Sequence, residues 1–149
     1  MIRTHTGNSS HRRLVEMPRV MVDMSATLLH HGHIILLEAA ALKGEVVVAL
    51  TSDSEVKRQK GYFPELNFSQ RKQILEAISF VSEVVESPWL IDEAFLDFHE
   101  CDFLMHGDDN TNNLPPDRVV TVARTKDISS SMLRQIAAKI AKSLQDPSP

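Results

Sequence analysis

At 149 residues, with 42% hydrophobic and 24% charged content, the chain is sized for one domain around one core. Its formal net charge of -4 argues against the basic surface of a nucleic-acid binder. The single cysteine, Cys101, rules out an intrachain disulfide and fits a cytoplasmic location. No apolar run approaches the roughly 20 residues a membrane span needs, and the N-terminus lacks the apolar centre of a secretory signal.

In chain order, residues 1–18 are polar and basic, with Arg3, Arg12 and Arg13, and read as a flexible leader. "RVMVD" (Arg19–Asp23) predicts a first strand. "HIILLEAAALKG" predicts a mostly buried helix ending at Gly44, with Lys43 in its last turn. The valine run of "EVVVALTSD" suits a central parallel strand covered on both faces. Residues 54–67 are charged, contain Gly61 and Pro64, and read as a mobile loop. A helix is expected next, capped by Ser69, with Ile74, Leu75, Ile78 and Val81 at helical spacing.

"SEVVES" reads as a third strand and "WLIDEAFLDFHE" as a helix. "CDFLMHGDDN" reads as a fourth strand running into an acidic turn, and "DRVVTVART" as a fifth strand. The last helix, "ISSSMLRQIAAKIAKSLQ", is amphipathic, with Met132, Leu133, Ile136, Ile140 and Leu144 on one side. Residues 145–149, "QDPSP", read as the start of a linker to a further domain, which leaves residues 19–144 as the folded unit. Alternating strands and helices predict an α/β, Rossmann-like doubly wound fold. Its five-stranded, mainly parallel sheet would carry helices on both faces and bind ligand at the strand C-termini.

The stretch "HHGH" bears on chemistry first. His30 and His33 are three apart, on one side of a starting helix, and Gly32 lets a ligand approach the backbone. Free N–H groups and the positive end of the helix dipole favour an anion there, and imidazoles donate to phosphate oxygens. A three-histidine metal site is the competing reading, but no nearby cysteine or well-spaced fourth ligand supports it.

"HHGH" fits the HxGH signature of the nucleotidylyltransferase superfamily. "ARTKDISSS" resembles the "RTEGIST" motif of cytidylyltransferases for glycerol phosphate, choline phosphate and ethanolamine phosphate. "RKQILEAISFVSEVV" and "FLMHGDD" are similar to two further family motifs, in the correct order, so the resemblance spans about Arg19 to Arg134. "VMVDMSATLLHHGH" looks closest to cytidylyltransferase domains fused to phosphoenolpyruvate mutase in phosphonate (fosfomycin) biosynthesis. There the resemblance implies CTP as donor, 2-hydroxyethylphosphonate as the favoured acceptor, a divalent cation such as Mg²⁺ accompanying CTP, a homodimer, and a mutase domain beyond the linker. Glycerol phosphate or another phosphate ester is the alternative acceptor. A sugar-phosphate adenylyltransferase and a degenerate nucleotide-binding module are more distant alternatives.

The resemblance also implies roles. His30 and His33 would hold the triphosphate, and Lys57 or Lys60 would close over the α-phosphate. Ser25, Ala26, Gly32, Arg124, Thr125, Ile128, Ser129 and Ser130 would line the nucleotide, the two serines holding the β- and γ-phosphates through hydroxyls and N–H groups. Asp108 would accept the cytosine amino hydrogen, and Arg71 would reach the acceptor's anion. Asp109 is read as either a turn cap or a site group, and His31 as a variable position. Two departures stand out: Thr27 occupies a position where the family carries Asp, and Lys126-Asp127 replaces "EG", which could reshape the turn beside the nucleotide.

Overall fold

The alternation of β-branched runs with helical spacing becomes five strands and five α-helices. The strands are β1 (Arg19–Met24), β2 (Glu45–Thr51), β3 (Glu83–Ser87), β4 (Phe103–Gly107) and β5 (Val119–Val122). The helices are α1 (His31–Ala41), α2 (Asp53–Lys60), α3 (Phe68–Glu76), α4 (Glu93–Phe98) and α5 (Ser130–Gln145), with a short 3-10 turn before β5. This computed structural model describes residues 17–109 and 111–146. Most of the expected leader (1–18) and the last residues of the expected linker (145–149) lie outside the described residues.

The strand order is β3-β2-β1-β4-β5 and every neighbouring pair is parallel. Successive strands run outward from β1 to β3, then restart on the other side of β1 with β4. That reversal opens a crevice at the C-terminal ends of β1 and β4, where ligands of open α/β sheets bind.

Strand periodicity divides the core in two. Val20, Val22, Val46, Val48 and Leu50 pack with Leu37 and Ala40 of α1 and Leu75 of α3. Met21, Val47, Ala49 and Leu104 face the other way and pack with Leu96 of α4 and Ile91. Helices therefore cover both faces, which is why β2 reads as an unbroken apolar run rather than an alternating one. Each fully buried Val or Leu stabilises the fold by about 1.5–3 kcal/mol before ordering costs.

Several local expectations are corrected. The first half of the expected 54–67 loop is α2. Ser52 caps it by accepting the Glu55 N–H at 3.3 Å, and Gly61 ends it in the left-handed region at φ 84°. α3 is capped by Asn67 rather than Ser69: Asn67 and Gln70 exchange side chain-to-backbone hydrogen bonds, each 3.0 Å. It ends at Glu76, so Ile78 and Val81 pack on the core from beyond it. α1 ends at Ala41, short of Gly44. α4 begins only at Glu93, capped by Asp92, which leaves Trp89 and Leu90 on a loop. The apolar stripe of α5 is left largely open, with Ile136, Ile140 and Leu144 all exposed. Among the described residues no helix is long and apolar enough to cross a membrane.

Candidate active site

A cavity of about 470 Å³ opens at the C-terminal ends of β1, β4 and β5, where the N-termini of α1 and α5 converge. Of the residues singled out from sequence, Ser25, His30, Gly32, His33, Lys60, Arg124, Thr125, Ile128, Ser129 and Ser130 all line it. Helix N-termini carry unsatisfied N–H groups and a positive dipole end, so two of them facing one cavity make an anion site.

The two motif histidines build the end of α1 themselves. His30 is the N-cap, and its Nδ1 accepts the Gly32 N–H at 3.1 Å. His33 Nδ1 accepts the His30 N–H at 3.2 Å, closing a reciprocal cap. The rings lie 4.0 Å apart between centroids. Since Nδ1 is an acceptor in both, each neutral ring carries its proton on Nε2, leaving that N–H as its remaining donor. Burial pushes His33 down to about 4, and the neighbouring His30 adds to this. His30 is lowered too, by burial first and then by His31 and Arg124. Gly32 has a sharper role than open access: a Cβ there would stand 2.9 Å from the His30 ring. Glycine is what lets that ring fold back onto the helix. His31 is exposed and outside the cavity lining.

At the facing end, Ser129 caps α5 and its Oγ accepts the Met132 N–H at 3.0 Å, so its own hydroxyl proton remains for a ligand. Ser130 Oγ donates to the Leu28 carbonyl at 2.9 Å. The Ser130 hydroxyl is therefore engaged within the protein, which corrects the expectation that both serine hydroxyls are free for a ligand. Asp127 adopts φ 59°, the left-handed conformation natural to Gly. Asp tolerates this region better than most residues, so the turn into α5 forms with a non-glycine residue at its left-handed position.

Other assignments change as well. Asp108 is exposed and does not line the cavity, whereas Asp109 does, accepting from Arg124 Nη1 at 2.9 Å. Lys57 turns away, donating to the Gly61 carbonyl at 2.8 Å over the Phe63 ring. Lys60 faces inward, donating to Ser25 Oγ at 2.9 Å, 5.9 Å from the Trp89 ring centroid. Burial and the nearby Arg134, Arg71 and Arg124 lower its pKa. The backbone of α2 therefore chooses between the two lysines.

Arg71, expected to hold the acceptor, is 2% exposed and fully engaged. It donates to the carbonyls of Leu66 (3.1 Å), Ser25 (2.6 Å) and Thr51 (3.0 Å), and pairs with Asp53 at 2.6 Å. It ties the turn after β1 to the end of β2 and the start of α2 from beneath. Ala26, at φ 42°, is 5% exposed and is part of that supported turn rather than of the cavity lining. Thr27, also buried, accepts from Arg134 Nη2 at 3.4 Å.

Sequence reasoning assigned no role to the cavity floor. Asp23, at the end of β1, pairs through Oδ1 with His106 Nδ1 of β4, and its Oδ2 accepts from Asn112 Nδ2 at 3.2 Å. Asp23, His106, Asn112 and Trp89 all line the cavity. Asp23 and His106 stand within the quoted motifs, so their position at strand ends was the signal. Among the described residues no group of three or more His, Cys, Asp or Glu is arranged to hold a metal ion. The site's donors suit phosphate oxygens.

Residues 27–136 match a family model described as cytidylyltransferase-like. Glycerol-3-phosphate cytidylyltransferase of Staphylococcus aureus is 32% identical over 127 residues, covering 80% of this chain and 94% of that protein. Ethanolamine-phosphate cytidylyltransferase of Dictyostelium discoideum is 37% identical over 93 residues, covering 61% of this chain. The matched segment spans 26% of that protein, about a quarter of its length. Among solved structures, a lipopolysaccharide core biosynthesis protein from Thermoplasma volcanium aligns with TM-score 0.63 at 20% identity, over 74% of this chain and 99% of that one, a likeness of fold.

Proposed function

The chain belongs to the cytidylyltransferase-like family, and from that premise we propose that it transfers CMP from CTP to a small phosphate ester, releasing pyrophosphate. The observation that carries the proposal is the reciprocal cap of His30 and His33, which presents two Nε2–H donors beside the open N-terminus of α5.

An anionic oxygen of the acceptor attacks the α-phosphorus. The P–O bond to it forms as the bond to the bridging oxygen of pyrophosphate breaks, and that electron pair leaves with pyrophosphate. Such a transfer needs positioning and charge neutralisation more than a covalent nucleophile. His30, His33, the Ser129 hydroxyl and the N–H groups opening α5 meet the negative charge that grows on the leaving group. Lys60 offsets the repulsion between two anionic reactants. A divalent cation arriving with CTP supplies further neutralisation when bound. Cys101, buried and pushed up to about 11 by burial, is unsuited to be a nucleophile.

Among acceptors, the full-length similarity to a glycerol-3-phosphate enzyme supports a phosphate ester more directly than a phosphonate. The likeness of Val20–His33 to phosphonate-pathway domains keeps 2-hydroxyethylphosphonate as the second reading. The test is mass spectrometry of products from CTP, ATP or UTP with glycerol phosphate, ethanolamine phosphate and 2-hydroxyethylphosphonate. A CDP-linked ester is expected. An adenylylated product, or a product from the phosphonate alone, overturns this choice. Homodimer assembly belongs to the same reading and is checked by light scattering.

A further inference from the structure

Lys60 is the last residue of α2, and residues 61–66 form the loop that leads from it toward α3. The two ends of this loop are tied to their own surroundings. Lys57 Nζ donates to the Gly61 carbonyl at 2.8 Å, and Arg71 Nε donates to the Leu66 carbonyl at 3.1 Å. Its middle is held from α5. Arg134 donates through Nε and Nη2 to the two carboxylate oxygens of Glu65, at 2.5 and 2.9 Å. Its Nη1 donates to the Tyr62 hydroxyl at 3.1 Å, and the guanidinium lies 4.5 Å from the Tyr62 ring centroid. Nη2 also donates to Thr27 Oγ1 at 3.4 Å. A planar fork on a carboxylate beside an aromatic ring is a geometry that arginine supplies and lysine does not.

Arg134, Glu65 and Tyr62 stand outside the cavity lining. Their neighbours in sequence stand inside it. Arg134 is one helical turn beyond Ser130 on α5, and Tyr62 is two residues beyond Lys60. The fork therefore joins the helix that presents Ser129 to the loop that follows Lys60. Thr27 adds no charge, so the carboxylate facing Arg134 is that of Glu65, on the loop. The Arg134 and Glu65 side chains are partly open to water, at 29% and 44%. Such a pair adds little to global stability; what it fixes is the position of the loop. We infer that Arg134 is a positioning residue, clasping Glu65 and Tyr62 so that the loop docks on α5 and Lys60 stays aimed into the cavity beside Ser25. The inference rests on the cytidylyl-transfer reading and deepens it. A loop released from the clasp samples other positions, and the fraction of chains with Lys60 in place falls, taking the apparent affinity for the triphosphate with it.

The experiment uses Arg134→Gln and Glu65→Gln, alone and together, and repeats Arg134→Gln in a Lys60→Met background. Chymotryptic cleavage after Tyr62 reads the loop, and kcat/KM from pyrophosphate release reads the transfer. Calorimetric Kd for CTP reads the site without turnover, and urea midpoints read the fold. Each single substitution is expected to speed cleavage and to lower kcat/KM by about tenfold, with the urea midpoint near wild type. The double variant is expected to match either single one, because the partners act as a unit. In the Lys60→Met background, Arg134→Gln is expected to change kcat/KM by less than about twofold, because the clasp acts through that lysine. Unchanged cleavage, unchanged kcat/KM, or losses that multiply across Arg134→Gln and Lys60→Met overturn the inference. A purely structural lesion would lower the urea midpoint and add to Lys60→Met, and that pattern overturns it too. Should Arg134→Gln fail to fold, Glu65→Gln takes its place in the Lys60→Met background. If the wild type releases no pyrophosphate with any acceptor, the transfer reading fails and the clasp is still decided: faster cleavage and weaker CTP binding in Arg134→Gln, with no further loss of CTP binding on top of Lys60→Met, support it. A wild type that binds no CTP overturns both.

Discussion

His33 Nδ1 accepts the backbone N–H of His30 at 3.2 Å, so each motif histidine fixes the tautomer and direction of the site through the other's helix cap. Structure and chemistry share these two rings, and substitutions separate them. Asn at position 30 preserves a good N-cap but lacks the Nε2 donor. His30→Asn is expected to hold stability to within about 1 kcal/mol while kcat falls by roughly 10²- to 10³-fold. Urea unfolding and steady-state rates check this; a variant that keeps near-wild-type kcat contradicts the assigned role.

The neutral state of His33 has a signed consequence for stability. Its folded pKa is about 4, below the ordinary value of about 6.5, so the unfolded chain binds protons first as pH falls. The contribution is fully present above pH 6.5, declines between 6.5 and 4, and is gone below. The loss over that window is on the order of 3 kcal/mol, with His30 acting in the same direction. Urea midpoints at pH 7.5, 5.5 and 4.5 for wild type and His33→Asn test it. A pH slope equal in the two proteins rules the assignment out.

Arg71 supports the site from below. Arg71→Met leaves Asp53 and three carbonyls without their donor, and is expected to destabilise the fold by about 3 kcal/mol or more. A change in acceptor KM with unaltered unfolding would instead restore Arg71 as an acceptor ligand.

The two lysines of α2 are expected to separate cleanly. Lys60→Met should lower kcat/KM by roughly 10²-fold or more, since its amine faces the cavity from Ser25. Lys57→Met should stay within a few-fold, because its amine caps its own helix. Equal losses in the two variants would contradict the orientation of α2.

Asp127 occupies a conformation that glycine adopts without strain. Asp127→Gly is expected to be neutral or stabilising by up to about 1 kcal/mol, since relief of αL strain competes with added unfolded-state entropy. Thermal unfolding measures it, and clear destabilisation would mean the Asp side chain itself holds the turn.

The central strands β1 and β2 were legible because burial on both faces gives near-continuous apolar runs such as Val46–Leu50. The ends of the elements were less so. Residues 52–61 carry Ser52, Glu55 and Gly61, a usable start-and-stop signal, but their high charge hid a helix whose inward side offers little beyond Val56. The placement of His30 and His33 together at a helix start was legible from spacing alone. Their reciprocal cap was not, because a histidine acting as N-cap depends on ring orientation. Arg71 and Arg124 are both arginines in motifs. Only packing distinguishes one that staples carbonyls beneath the sheet end from one that faces the cavity. Asp23 and His106 are 83 residues apart in sequence, and only the pairing of β1 with β4 brings them together.

The most direct measurement of the central claim is pyrophosphate released from CTP with glycerol 3-phosphate present or absent, in wild type and in His30→Asn. The account predicts release that is stoichiometric with a CDP-linked ester, dependent on the acceptor, and at least 10²-fold slower in the variant. Release that ignores the acceptor, or persists unchanged in His30→Asn, would contradict it.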